Sequence, residues 1–134
     1  MSKPFQPNPI VAPTIEAGTE YYWEQAKAGQ LTVKSCKSCG KVHFYPRTLC
    51  PFCFGETEWK PASGKGKIYS YSVMARGNPN PYCIAYVTLE EGPTMMTQIV
   101  DCDLDDVRIG QDVTVVFKPT EGEDTPPVPM FKPV

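Results

Sequence analysis

At 134 residues the chain has room for one ordinary domain plus a small module, and its 41% hydrophobic content suffices for a packed interior. No stretch approaches the roughly 18 apolar residues of a membrane helix, so the chain is expected to be soluble. Thirteen basic against fifteen acidic side chains give a formal charge of -2, a poor balance for gripping a phosphate backbone.

The first segment holds Pro4, Pro7, Pro9 and Pro13. Proline fixes φ and lacks a backbone donor, so an extended arm is predicted, either a disordered tail or a strip that lays Phe5, Ile10 and Val11 on a partner. The start shows no basic residues followed by an apolar run, which predicts a cytoplasmic, reducing setting. From Ala17 to Ala28 the residues suit a helix, with Tyr22, Trp23 and Ala26 on one stripe and Glu20, Glu24 and Lys27 in water, until Gly29 stops it. A helix this short is marginal alone, so Tyr21, Tyr22 and Trp23 need a cover, from the neighbouring module or from another subunit.

Leu31 to Val33 reads as a short strand delivering Cys36. Cys36-Lys37-Ser38-Cys39 and Cys50-Pro51-Phe52-Cys53, separated by ten residues, suit a tetrahedral thiolate cage. Zinc is the default occupant. Iron in a rubredoxin-like site and disulfides are the competing readings, and a reducing compartment favours metal. The loaded site would bring the net charge to about -4. Val42, Phe44 and Tyr45 can form a hairpin over the metal, giving a zinc ribbon. His43 is read as a hydrogen-bonded or solvent-facing imidazole because four thiolates already complete the shell. Arg47 either pairs with the thiolate cage or a partner's carboxylate, or is simply solvated. Phe54 is read as a cover over the metal knuckle, with a partner contact as the lesser alternative.

After Gly64-Lys65-Gly66 the period changes to two. Tyr69, Tyr71 and Val73 alternate with Ser70 and Ser72, which predicts a half-buried strand from Lys67 to Met74. Cys83, Ala85, Val87 and Leu89 line one face of the next run and Tyr82, Ile84 and Tyr86 the other, predicting a strand covered on both sides. Thr94 to Val100 and Val113 to Phe117 add two more strands, joined by Asp101 to Gln111 with Gly110 in a turn. Short strands between glycine turns suggest a small closed barrel, best fitted by an OB-like fold. Pro119, Pro126, Pro127, Pro129 and Pro133 then predict a second extended arm, either a disordered tail or a strip that offers Met130 and Phe131 to a partner. The chain is thus mostly β, divided into an arm with a helical segment (1–30), a zinc ribbon (31–60), an OB-fold barrel (61–119) and a proline-rich C-terminal arm (120–134).

No catalytic set emerges. Cys83 reads as core, and acidic neighbours would raise rather than lower the Cys102 thiol. Asp101, Asp103, Asp105 and Asp106 lack the glycine and terminal glutamate of a calcium loop. Lys60, Lys65 and Lys67 form the compact basic cluster, read as a solvated hinge rather than a duplex track.

The run from Tyr21-Tyr22-Trp23 through Gly29-Gln30-Leu31, Cys36-x-x-Cys39-Gly40, Phe44-Tyr45-Pro46-Arg47 and Cys50-Pro51-x-Cys53 resembles the DUF35 family of acyl-CoA-associated proteins. Gly64-Lys65-Gly66-Lys67-Ile68-Tyr69-Ser70-Tyr71 is similar to that family's approach to its barrel, and Ile109 to Phe117 to its last part. The likeness covers residues from about 20 to 118. It implies a rubredoxin-like zinc ribbon joined to an OB-fold, with one structural zinc on Cys36, Cys39, Cys50 and Cys53. It further implies a hetero-oligomer in which a thiolase or thiolase-like catalytic subunit acts on a coenzyme A thioester. In that assembly this chain is expected to be inactive alone, to stabilise its partner and to help shape the acyl-CoA channel, where Lys60, Lys65 and Lys67 would offer a weak attraction for coenzyme A phosphates. A MaoC-like enoyl-CoA hydratase and a thiolase-like aldolase are alternative partners. An OB-fold nucleic-acid binder is the alternative from another class, which the missing basic groove argues against.

Overall fold

A computed structural model describes residues 9–75 and 80–134. Phe5, Pro4 and Pro7 of the predicted N-terminal arm lie outside the described residues. Helix α1 (Glu20–Lys27) carries Glu20 in its first turn and Lys27 in its last, both suited to the helix dipole. It ends where the N–H groups of Gly29 and Gln30 return to the carbonyls of Ala26 and Gln25, at 3.0 and 2.9 Å.

The predicted stripe is the buried one: Tyr22, Trp23 and Ala26 enter the core. Tyr22 packs edge-on to Trp23 at 4.8 Å and lies 5.9 Å from Phe44, while Tyr21 stays on the surface beside Trp59. Tyr22 and Trp23 therefore find their cover within the chain. The alternative that they dock on another subunit is corrected, because each is more than nine-tenths removed from solvent already.

Three strands follow as one small sheet, with β1 (Thr32–Cys36) between β2 (Val42–His43) and β3 (Thr57–Pro61), all antiparallel. All five residues of β1 are buried. The Gln30 amide spans the Leu31 and Ala62 carbonyls at 2.6 and 2.8 Å, tying this sheet to the chain that leads into the barrel.

The barrel closes through β4 (Lys65–Met74), β5 (Tyr82–Leu89), β6 (Thr94–Ile99), β8 (Val128–Pro133) and β7 (Asp112–Lys118), in that spatial order. β6 and β8 are parallel and the other neighbours antiparallel, which is an OB-type closure that removes sheet edges. Gly66 is required where β4 crosses β5, since a Cβ there would lie 2.7 Å from the Thr88 carbonyl oxygen. One hydrophobic cluster runs from Tyr22 and Val33 through Ala62 to Ile68, Val87 and Phe131.

Three details differ from the sequence reading. The last segment is not an arm over its whole length: Val128–Pro133 is a barrel strand, and Phe131 lies fully buried opposite Val115 and Ile99. Pro129 and Pro133 stand opposite Phe117 and Val113, and between them Met130 and Phe131 are both buried, Phe131 within the core cluster. Proline content hid that pair. On β4 a register shift between Ile68 and Ser70 leaves Tyr69 67% exposed. β5 is fully covered on one face, where Cys83, Ala85, Val87 and Leu89 are buried, and only partly on the other, where Tyr82 and Ile84 are half-buried and Tyr86 is 46% exposed.

Candidate metal centre

Cys36 ends β1, so the sheet itself aims the first thiol. A tight turn then carries Cys39 back, and the backbone N–H groups of Ser38 and Cys39 both reach the Cys36 Sγ at 3.3 Å. The second turn repeats the device, with the Phe52 N–H 3.4 Å from the Cys50 Sγ. Cys36 and Cys53 Sγ atoms are 3.4 Å apart, Cys39 and Cys50 3.7 Å, and all four lie within 4.8 Å of one another.

Four sulfurs at the usual Zn–S distance of about 2.3 Å lie about 3.8 Å from each other, so the cluster fits a tetrahedral zinc ion. It does not fit disulfides, whose sulfurs bond at about 2.05 Å, and all six cysteines are free. The Cys39 N–H, opposed by burial and aided by the Ser38 N–H, holds the Cys36 thiol down at about 6. Donors aimed at sulfur favour the thiolate that a metal requires.

The turns are close-packed. A Cβ on Gly55 would sit 2.8 Å from the Ser38 Oγ and 3.1 Å from the Cys36 Sγ. Gly40 takes φ of 76° and Phe54, at the matching place in the second turn, φ of 61°. Phe54 is 78% exposed, which overturns its reading as a cover over the knuckle.

His43 is outside the sulfur cluster. It is buried, and its Nε2 accepts the Arg47 backbone N–H at 3.2 Å. Burial, then Lys34 and Arg47, lower its pKa, so it is a neutral structural group. Arg47 serves the ribbon through that backbone bond, while its side chain is exposed.

Two residues passed over in the sequence complete the support. Lys34 is buried in the middle strand, donates to the Thr57 Oγ1 at 3.1 Å and lies 4.5 Å from the Trp59 ring centre. The Thr57 hydroxyl in turn lies 2.9 and 2.8 Å from the Arg47 and Thr48 carbonyls, fastening the loop between the two cysteine pairs. A buried lysine has no one-dimensional signature, although the alternation Thr32, Lys34, Cys36 does put it on a single strand face.

The remaining candidates are not brought into a reactive set. Cys83 is fully buried and its thiol is pushed up to about 11, first by burial and then by Cys102. Cys102 is raised as well, by burial before the charges of Asp103, Asp106 and Asp101. The acidic stretch is structural: the Asp103 Oδ1 accepts the Asp105 N–H at 3.0 Å, and Asp101 pairs with Lys118 at 2.8 Å. Of the basic cluster, Lys67 is engaged by Asp112 at 2.7 Å. Among the described residues no helix is long and apolar enough to cross a membrane.

Residues 23–59 match the ChsH2 rubredoxin-like zinc ribbon domain and residues 59–118 the ChsH2 C-terminal OB-fold domain. A DUF35 domain-containing scaffold protein of Methanothermobacter thermautotrophicus is 45% identical over 103 residues, 70% of this chain and 77% of that one. A probable enoyl-CoA hydratase alpha subunit of Thermomonospora curvata is 31% identical over 128 residues, 90% of this chain but 39% of that protein. The benzoylsuccinyl-CoA thiolase subunit BbsA of Geobacter metallireducens is 31% identical over 102 residues, 72% of this chain and 68% of that one. The solved structure of an Ltp2-ChsH2(DUF35) aldolase superposes with a TM-score of 0.76 at 28% identity, covering 90% of this chain and 98% of that one. With the four-cysteine cluster and the closed barrel, these matches establish that the chain belongs to the DUF35 family, as a rubredoxin-like zinc ribbon joined to an OB-fold.

Proposed function

We propose that this chain is a non-catalytic, zinc-binding subunit of an acyl-CoA thiolase or thiolase-like acyltransferase complex. It stabilises the catalytic partner and helps shape the acyl-CoA channel, and the coenzyme A thioester is the substrate of the complex. Cys36, Cys39, Cys50 and Cys53 are the ligands of one structural zinc per chain. We place the complex in the cytoplasm, where a reducing environment preserves a four-thiolate site.

The observation that carries this reading is the four-thiol cluster itself, in a chain whose relatives include a thiolase subunit and a scaffold protein. Four thiolates leave no position for the water or substrate that metal catalysis needs. Covalent acyl transfer needs an activated nucleophile with a base, and here burial raises the Cys83 and Cys102 thiols while the His43 Nε2 is occupied. The likeness to an enoyl-CoA hydratase subunit favours a second reading, with a MaoC-like hydratase as the catalytic partner.

The test is copurification of the tagged full-length chain from its native cells, with the partner identified by mass spectrometry and acyl-CoA turnover assayed for chain and complex. A thiolase-type partner and turnover confined to the complex are expected. A hydratase partner selects the second reading, and turnover by the isolated chain overturns both.

A further inference from the structure

The two cysteine turns repeat one hydrogen-bond pattern. Cys36 N–H donates to the Lys41 carbonyl and Cys50 N–H to the Gly55 carbonyl, both at 2.9 Å. The Gly40 N–H returns to Cys36 at 3.1 Å and the Phe54 N–H to Cys50 at 2.8 Å. Phe54 thus stands where the first turn has glycine, and it takes the same left-handed backbone conformation, with φ of 61° against 76°. A side chain there costs conformational energy that glycine avoids, the more so for a bulky residue.

Burial does not repay that cost. Phe54 is 78% exposed, and Phe52, one residue before Cys53, is 59% exposed. A turn that only had to bind metal would be served by glycine, as the first one is. Strain retained at an exposed apolar residue is a functional signal rather than a packing one.

We infer that Phe54, with Phe52 two residues before it in the same turn, anchors the zinc ribbon in an apolar pocket of the catalytic subunit, a pocket with an acidic rim. This rests on the proposed role as a subunit. The rim follows from charge: the Lys41 ammonium lies 4.8 Å from the Phe52 ring centre and has no ion-pair partner among the described residues. Lys37 meets Glu56 only at 3.8 Å, with both side chains largely exposed. A second copy docking by the same patch would set these lysines against their own counterparts, and a nucleic acid would bring phosphates toward the net-negative thiolate cage.

The full-length wild type, Phe54→Gly and Phe54→Ala are titrated into the catalytic subunit recovered by copurification, with melting temperature and zinc content measured on each free variant. Both variants should bind at least tenfold more weakly and keep one zinc. Phe54→Ala should melt where the wild type does, and Phe54→Gly at the same temperature or higher. Unchanged affinity in either variant overturns the anchor, as does a lowered melting temperature or lost zinc, since the ring would then serve the knuckle. A wild-type dimer in sedimentation that Phe54→Gly abolishes assigns the patch to a second copy and overturns it also. If the wild type binds no catalytic subunit, the subunit role itself fails, whereas wild-type binding that both variants retain defeats only the anchor.

Discussion

Lys34 and His43 stand directly opposite one another in the β1–β2 ladder, and both are buried. An ammonium facing an imidazole disfavours a second positive charge, and burial disfavours it further. His43 is consequently held neutral, with Nε2 free to accept the Arg47 N–H that positions the loop before Cys50.

The sign of the pH dependence follows. Folding lowers the His43 pKa below its unfolded value of about 6.5, so the folded state binds fewer protons. The stabilisation is full above about 6.5 and is lost as pH falls through the lowered folded value. Thermal melts from pH 7.5 to 5.0 should show a loss in the wild type that His43→Gln reduces, because glutamine can accept the Arg47 N–H without titrating. Zinc release on acidification acts in the same direction in both proteins, so the difference between them isolates the imidazole. Equal losses would remove His43 from the account.

Phe131 closes the barrel from the last strand, opposite both Ile99 and Val115. Its truncation opens a cavity where three strands meet, and Phe131→Ala should cost about 3 to 5 kcal/mol in urea unfolding. A cost within about 0.5 kcal/mol, typical of a surface site, would mean that the strand is dispensable.

The cysteine pairs were legible because metal chemistry fixes their spacing, and the barrel because several short apolar runs stand between glycine turns. The C-terminal strand was not, since five prolines outweighed the two apolar residues that decide its burial. The outward turn of Tyr69 depends on a register shift between Ile68 and Ser70, which residue types do not announce. For Phe54 a signal did exist. Aligning Cys36-x-x-Cys39-Gly40 with Cys50-x-x-Cys53-Phe54 sets a phenylalanine on a glycine position, but exposure is a property of the folded surroundings.

Gly55 tests the cage from outside its ligands. An added methyl would meet Ser38 and the Cys36 sulfur, forcing the two turns apart. Gly55→Ala should weaken zinc binding about 10- to 100-fold in chelator competition, the usual range for groups that support metal ligands. Adding Ser38→Gly removes one of the two contacts and should restore part of the affinity. Full affinity in Gly55→Ala would show that the turns can separate without disturbing the sulfurs.

Trp23 separates intrachain packing from docking most directly, because its behaviour should mirror that of Phe54. Its indole is 7% exposed and packs edge-on to Tyr22 in the cluster that joins helix, ribbon and barrel. Trp23→Ala should therefore lower the stability of the isolated subunit by about 3 to 5 kcal/mol. At temperatures where the variant remains folded, affinity for the catalytic subunit should change less than threefold, since the ring offers little surface to a partner. Phe54→Gly should do the reverse, weakening assembly without lowering the melting temperature. If Trp23→Ala leaves the subunit's stability intact and abolishes binding, helix α1 opens on association and the aromatic stripe belongs to the interface.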